Sequence, residues 1–145
     1  MSKRNRRRTL PARKEPLARV EFDASDSKVY ILATLIIFHI VPLVFVLLHF
    51  TMPDSNFMGL YTQFAIYFNS SLLAVIAFLY GIRKGFNFKL PFFISVIAIL
   101  SIIFYINYMP SQTVPMLLAF GLVYMLFSFI GIFVGAYLKR VFKIG

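Results

Sequence analysis

His39 is the residue whose type and position most strongly suggest chemistry. It lies ten residues into an uncharged apolar stretch that begins at Val29. An ionisable side chain near the middle of a membrane helix is costly, so it marks a functional hypothesis by default. Desolvation favours the neutral imidazole, whose ring still needs one hydrogen-bond donor and one acceptor. We therefore expect polar groups from neighbouring helices to lie near His39.

Polar side chains in the other apolar stretches fall at nearly the same depth as His39. They define a candidate mid-membrane polar cluster, whose members are His39, Asn69, Ser71, Ser101 and Ser128. One interpretation is a polar lining for a solute, an ion or a proton. The other is a set of hydrogen bonds that hold the helices together. The second is favoured, because no Asp, Glu, Lys or Arg lies inside these stretches.

Pro42 follows His39 by three residues and predicts a kink in the first helix. Its ring nitrogen cannot donate to the carbonyl of Phe38, and its ring crowds the preceding turn. The freed carbonyl would accept a hydrogen bond from a neighbouring helix or from water.

No set of side chains predicts catalysis, a metal site or a cofactor. The chain contains no Cys, and Asp54 is the only carboxylate outside the N-terminal 28 residues. A nucleophile needs a base and an orienting group beside it. His39 and His49 are ten residues apart, about 15 Å along a straight helix, too far to hold one metal ion. We therefore expect a non-enzymatic protein without a cofactor.

Four apolar stretches position these residues. The 145-residue chain is 60% hydrophobic, above the roughly 45–50% of soluble domains. The predicted spans are 29–50, 60–82, 90–109 and 115–138, each near the roughly 20 residues that cross a bilayer. Because helices satisfy their own backbone groups, we expect an all-α membrane protein with four transmembrane helices in two antiparallel hairpins. Trp is absent, so Tyr would supply any aromatic belt at the membrane interface.

The basic residues flank the spans and predict their orientation. Nine of the 15 Lys and Arg lie in residues 1–28, three lie between spans 2 and 3, and three follow span 4. Cytoplasmic loops carry an excess of Lys and Arg, so both termini are predicted to be cytoplasmic. Residues 1–28 would form a disordered basic arm, residues 29–140 the four-helix transmembrane domain and residues 139–145 a basic tail. Asp26 or Ser27 is expected to cap the first helix.

The polybasic N-terminus has three interpretations. Its candidate contact residues are Lys3, Arg4, Arg6, Arg7 and Arg8. Attraction to a bilayer with anionic headgroups, worth about 1 kcal/mol for each basic residue, is favoured over docking to an acidic protein. Nucleic acid is disfavoured, because no aromatic residue for base stacking stands among the basic ones.

Small residues on span 4 predict close helix packing. Ser128, Gly131 and Gly135 share one helix face and let two backbones approach. The packing partner is another span of the chain, which is favoured, or a second copy. A gap-free shift of 57 residues also aligns Tyr67 with Tyr124 and Ser71 with Ser128. Apolar spans also match by chance, so these identities do not decide whether the chain arose by internal duplication.

Three functions fit this pattern. The favoured one is a non-enzymatic accessory or scaffold subunit of a larger membrane complex. The expected partner is another membrane protein or a second copy of the chain. The alternatives are a small oligomeric transporter or channel, and a holin-like protein whose induced expression would depolarise the host. The expected location is the bacterial cytoplasmic membrane, with the endoplasmic reticulum as the alternative. The sequence does not indicate a solute or a biological process.

Overall fold

The computed structural model describes residues 23–105 and 114–143. Within these residues the chain forms four α-helices and no strand, which confirms the prediction of an all-α chain for this part. The helices are α1 (Ala24–Thr51), α2 (Phe57–Lys84), α3 (Lys89–Tyr105) and α4 (Val114–Phe142). By length and composition α1, α2 and α4 can each cross a membrane, whereas the described part of α3 is a shorter apolar helix.

Several sequence-based predictions fall outside the described residues. These include most of the basic arm and the predicted outer end of span 3 at Met109. The predicted contact residues of the arm that lie outside are Lys3, Arg4, Arg6, Arg7 and Arg8.

The helices extend beyond the apolar stretches that predicted them. Asp23 caps α1, because its side chain accepts a hydrogen bond from the Ser25 backbone nitrogen at 2.7 Å. The prediction of a cap at Asp26 or Ser27 is therefore wrong. The helix α1 starts about one turn earlier, in a polar segment that hydropathy does not mark as helical. At the other end of the chain, α4 continues through Lys139 to Phe142, so part of the predicted basic tail is helical.

The four helices pack around one buried core. The most extensive contact joins α2 and α4, while α3 lies on α4 and α1, and α1 lies on α2 and α3. The core includes the fully buried side chains of Leu73, Ile94 and Ile132. Three tyrosines, Tyr61, Tyr80 and Tyr124, are also fully buried. Tyr can occupy this core because its ring is apolar, and the Tyr124 hydroxyl is hydrogen-bonded there to the carbonyl of Ala65.

Two polar contacts bring three helix ends together at one end of the bundle. Lys84 Nζ, at the end of α2, lies 2.5 Å from Asp26 Oδ2, at the start of α1. Lys139 Nζ, at the end of α4, donates to the Arg83 carbonyl at 2.6 Å. Basic residues that are far apart in the sequence thus share this end of the bundle.

Glycines on two helices allow α2 and α4 to touch through their backbones. A Cβ atom at Gly131 would lie 2.9 Å from the Cα of Ala74 and still closer to its carbonyl oxygen. A Cβ atom at Gly135 would lie 3.1 Å from the Cα of Gly81 and 3.0 Å from the nitrogen of Ile82. Gly131 and Gly135, two of the three residues of the predicted small-residue face, therefore pack on α2 of the same chain. The third, Ser128, contacts Ser95 on α3 instead.

The residues aligned by the 57-residue shift have different surroundings. Tyr67 is 73% exposed, whereas its match Tyr124 is completely buried. Ser71 is exposed, whereas its match Ser128 is completely buried. The two halves of the chain thus use the matched side chains in different ways.

Candidate functional site

The five residues predicted as one polar cluster are divided among separate contacts. His39 and Ser101 lie between α1 and α3. Ser128 lies between α3 and α4, and Asn69 lies between α2 and α4. Ser71 is exposed on α2 and bonds only to its own helix. The helix faces place these five residues in different surroundings, so they do not form one cluster.

The contact between α1 and α3 is centred on the proline of α1. The Ser101 hydroxyl donates to the carbonyl oxygen of Phe38, the acceptor that Pro42 leaves without its usual helical donor. One turn further along α3, the Tyr105 hydroxyl donates to the carbonyl of His39 at 3.2 Å. Because Ser101 and Tyr105 are four residues apart, they share one face of α3. That face supplies donors to two successive carbonyls of α1, which remains a continuous helix through Pro42.

The His39 side chain itself is held by its own helix. Its Nδ1 lies 3.1 Å from the carbonyl oxygen of Leu35. Since a carbonyl only accepts, Nδ1 is the donor in this contact. The half-buried ring faces the aromatic rings of Phe104 and Tyr105, both with centroids 6.4 Å away. The link from His39 to α3 therefore runs through its backbone carbonyl rather than through its imidazole.

A pair of serines joins α3 and α4. The Ser128 hydroxyl donates to the Tyr124 carbonyl at 2.7 Å and lies 3.3 Å from the hydroxyl of Ser95. Both serines are completely buried. Because Ser128 has used its hydrogen, Ser95 is the donor between the two hydroxyls. Ser95 was missed from the sequence, since it lies nearer the end of span 3 than Ser101 and fell outside the common depth.

A buried tyrosine joins α4 and α2. The Tyr124 hydroxyl donates to the carbonyl of Ala65 at 2.8 Å and is hydrogen-bonded to the side chain of Asn69, one turn along α2. Phe38 of α1 packs edge-on against the Tyr124 ring, with centroids 6.2 Å apart. Sequence reasoning missed Tyr124, because an apolar span hides a tyrosine whose hydroxyl faces inward. The aligned Tyr67 shows that residue type alone does not reveal this orientation.

The described part of the bundle is thus bonded across three interfaces by uncharged groups. In the described residues no group of three or more His, Asp or Glu side chains could hold a metal ion. The hydroxyls at these interfaces bond to backbone carbonyls or to each other, which leaves them little capacity to bind a passing solute. The buried Ser27 hydroxyl, near the start of α1, has no hydrogen-bond partner among the described residues. The chain matches no protein-family model, no curated protein and no solved structure.

Proposed function

We propose that this chain is a small multi-pass membrane protein that acts as a non-enzymatic accessory or scaffold subunit of a larger membrane complex. Its four helices would cross a bacterial cytoplasmic membrane as two antiparallel hairpins, with both termini in the cytoplasm. Its function is to present a rigid helical surface to a membrane partner, rather than to move a solute or to catalyse a reaction.

The use of the buried polar groups carries this proposal. Ser101, Ser128 and Tyr124 each give their hydroxyl hydrogen to a backbone carbonyl. In a route for a solute or proton, such groups would be free to exchange partners with the moving species. Ser101 and Tyr124 bond to carbonyls of another helix, and Ser128 accepts a hydrogen bond from Ser95 of α3. These contacts stabilise the packing of one helix on the next, as polar groups between transmembrane helices commonly do.

The distribution of charge supports the proposed orientation. Arg83, Lys84 and Lys139 lie at one end of the bundle, where Asp26 and the Arg83 carbonyl bind two of them. Short cytoplasmic segments carry such an excess of Lys and Arg. Eight of the nine basic residues of the first 28 precede α1 in the sequence, and the ninth, Lys28, lies near its start. Such a basic segment would add attraction to anionic headgroups.

The outward face of α1 supports docking to another membrane protein. Leu32, Ile40 and Leu47 are each about half exposed, and α1 packs on α2 and α3 only at its other face. Of the three helices that can span a membrane, α1 buries the smallest share of its apolar window. A helix that contributes so little to its own bundle has a broad apolar surface for a partner helix.

A photo-crosslinking amino acid placed at Ile40 in native membranes tests the proposal. We expect one larger membrane protein, captured in stoichiometric amount and lost when a bulky Trp replaces neighbouring Leu47. The same probe at Leu122, an exposed position on α4, serves as the matched control. Recovery of lipid adducts alone from Ile40, with folded protein at normal levels, would contradict an accessory role.

A second candidate function is a small oligomeric transporter or channel, and one observation favours it. Gln63, Tyr67 and Ser71 lie exposed along one face of α2. In a ring of several copies this face would line a central path. Solute or proton flux into vesicles that contain the purified protein, lost in a Gln63→Leu variant, would support transport over the accessory role.

A further inference from the structure

One face of α2 carries an exposed polar stripe formed by Gln63, Tyr67 and Ser71. The three residues are spaced by four, so they form a ridge along the helix. Tyr67 is 73% exposed, which makes it one of the most exposed large side chains of the described helices. This stripe faces away from the contacts that α2 makes through Tyr61, Asn69 and the glycine crossing.

The remaining exposed surface of the described helices is apolar away from their ends. On α1, α3 and α4, the exposed residues within 32–50, 92–104 and 118–134 are all hydrophobic. A lipid-facing surface is expected to have this composition, because hydrocarbon cannot hydrogen-bond. The stripe on α2 is the exception within the described residues.

In a bilayer centred on α2, the stripe would lie at the depth of the hydrocarbon. The midpoint of α2, Phe57–Lys84, falls beside Ser71. At 1.5 Å per residue, Tyr67 lies about 5 Å and Gln63 about 11 Å from that midpoint. A hydrocarbon core about 30 Å thick extends roughly 15 Å to each side of its centre. The helix ends, where Tyr and Gln reach water easily, are therefore another turn or more away.

The hydrogen-bonding capacity of the stripe is only partly used within the chain. Ser71 donates to the carbonyl of Tyr67 at 3.0 Å and keeps its acceptor lone pairs. The exposed Gln63 amide has two donor hydrogens and one acceptor oxygen, and the exposed Tyr67 phenol has one donor. An unpaired polar group in hydrocarbon is costly, so a second protein surface that paired with this face would stabilise it.

We propose that Gln63, Tyr67 and Ser71 form the interface of a parallel, two-fold symmetric dimer of this chain in the membrane. The inference stands apart from the proposed accessory function, because it concerns a different face. In such a dimer each residue meets its own copy at the same depth. Amides and hydroxyls are self-complementary, since each both donates and accepts, so two identical stripes can satisfy one another.

The chemistry of the stripe favours a second copy over a different protein. It carries no charge, so no partner of opposite charge is required. All copies insert with the same orientation when basic residues lie at one end, which brings identical residues to identical depths. Two-fold dimers are also the commonest closed assembly of identical chains.

Cysteine crosslinking tests the dimer directly, because the chain contains no Cys. Gln63→Cys and Ser71→Cys place a single thiol on the stripe. Leu100→Cys is the matched control, since it is 57% exposed on α3, which scarcely touches α2. Each variant is reconstituted into phosphatidylglycerol–phosphatidylethanolamine vesicles, diluted with lipid and treated with a short bismaleimide.

We expect a crosslinked species of twice the chain mass from the two stripe variants, and little from the control at the same dilution. Mass measurement of the complex released from vesicles should give two copies. Equal crosslinking from Leu100→Cys, no crosslinking from either stripe variant, or a ring of three or more copies would each overturn the proposal.

A variant with Gln63→Leu, Tyr67→Phe and Ser71→Ala keeps side-chain size and removes the polar groups. We expect dimerisation in the same vesicles to weaken about tenfold or more, given the usual strength of several interhelical hydrogen bonds. Thermal unfolding of the detergent-solubilised monomer should be unchanged, since the stripe makes no core contact. An unchanged dimerisation constant in this variant would contradict a polar interface.

Discussion

The Ser101 hydroxyl donates to the Phe38 carbonyl, the one acceptor of α1 that Pro42 deprives of its helical hydrogen bond. A proline inside a helix normally leaves this carbonyl either bonded to water or without a hydrogen-bond donor. Here a side chain of α3 replaces the missing donor, and Tyr105 repeats the contact at the next carbonyl. The carbonyl that Pro42 frees on α1 thus accepts a specific hydrogen bond from α3. This bond and the Tyr105 contact fix which faces of α1 and α3 meet.

Loss of the Ser101 hydroxyl should destabilise the bundle. In Ser101→Ala the Phe38 carbonyl loses its donor while it stays buried, which should lower the free energy of unfolding by about 1–2 kcal/mol. Ser70→Ala is the matched control, because Ser70 is also buried but bonds only to Ile66 of its own helix. Reversible unfolding in mixed micelles measures both. Equal losses in the two variants would mean that the contact between helices contributes nothing specific.

The glycine crossing of α2 and α4 should not tolerate a methyl group. A Cβ atom at Gly131 or Gly135 meets backbone atoms of α2, which cannot rotate away. We expect each Gly→Ala change to lower stability by about 1–3 kcal/mol through overpacking.

Gly121→Ala provides the contrast for that experiment. Its Cβ atom would meet only the tip of the Ile99 side chain, at 2.9 Å, and this tip can move. Ala also has the higher helix propensity, by about 1 kcal/mol, so Gly121→Ala should be neutral or stabilising. Thermal denaturation followed by circular dichroism compares the three variants. A loss at Gly121 as large as at Gly131 would contradict the backbone contact.

Removal of the Tyr124 hydroxyl should weaken the contact between α4 and α2. Tyr124→Phe keeps the ring in place but leaves the Ala65 carbonyl and the Asn69 side chain without this partner. We expect a loss of about 1 kcal/mol in unfolding free energy. Tyr137→Phe, at an exposed position on the same helix, should change it by much less. If both variants have the unfolding free energy of the parent protein, the Tyr124 hydroxyl does not stabilise the contact between α4 and α2.

His39 should be replaceable, whereas its neighbour on α3 should not. His39→Gln keeps the backbone carbonyl that receives the Tyr105 hydroxyl, so the stability should change by less than about 0.5 kcal/mol. Tyr105→Phe removes the donor and should cost about 1 kcal/mol. Unfolding in the same micelles compares the two. If His39→Gln is the more damaging change, the imidazole has a role that its contact with Leu35 does not explain.

The sequence predicted the class of the fold because apolar length is a strong signal. Four apolar stretches separated by basic or polar turns predicted helices, and helices are present at all four places in the described residues. The helix ends were less predictable, because the helices continue past the apolar stretches into polar residues, where hydropathy gives no signal. The start of α1 after its cap Asp23 is an example. The small-residue face at Gly131 and Gly135 was visible, whereas its counterpart Gly81 was not, since a lone glycine near a helix end reads as a cap.

Counting residues predicts a level along each helix, but it does not predict which side chains face the core. Counting residues placed Ser71 and Ser128 at a similar level, yet one is exposed and the other is completely buried. An apolar helix in lipid is hydrophobic all round, so the periodicity that orients a soluble helix is absent. The same ambiguity concealed Tyr124 as a bonding residue and Tyr67 as an exposed one. Only the packing of the helices resolves these positions.

A double-mutant cycle between Ser101→Ala and Pro42→Ala tests most directly the claim that buried hydroxyls bond the helices. In the Pro42→Ala background the new backbone N–H can itself bond the Phe38 carbonyl, so Ser101→Ala should cost about 1 kcal/mol less than in the parent protein. The unfolding free energies of the four proteins give this coupling. Losses that add within about 0.3 kcal/mol would contradict the claim.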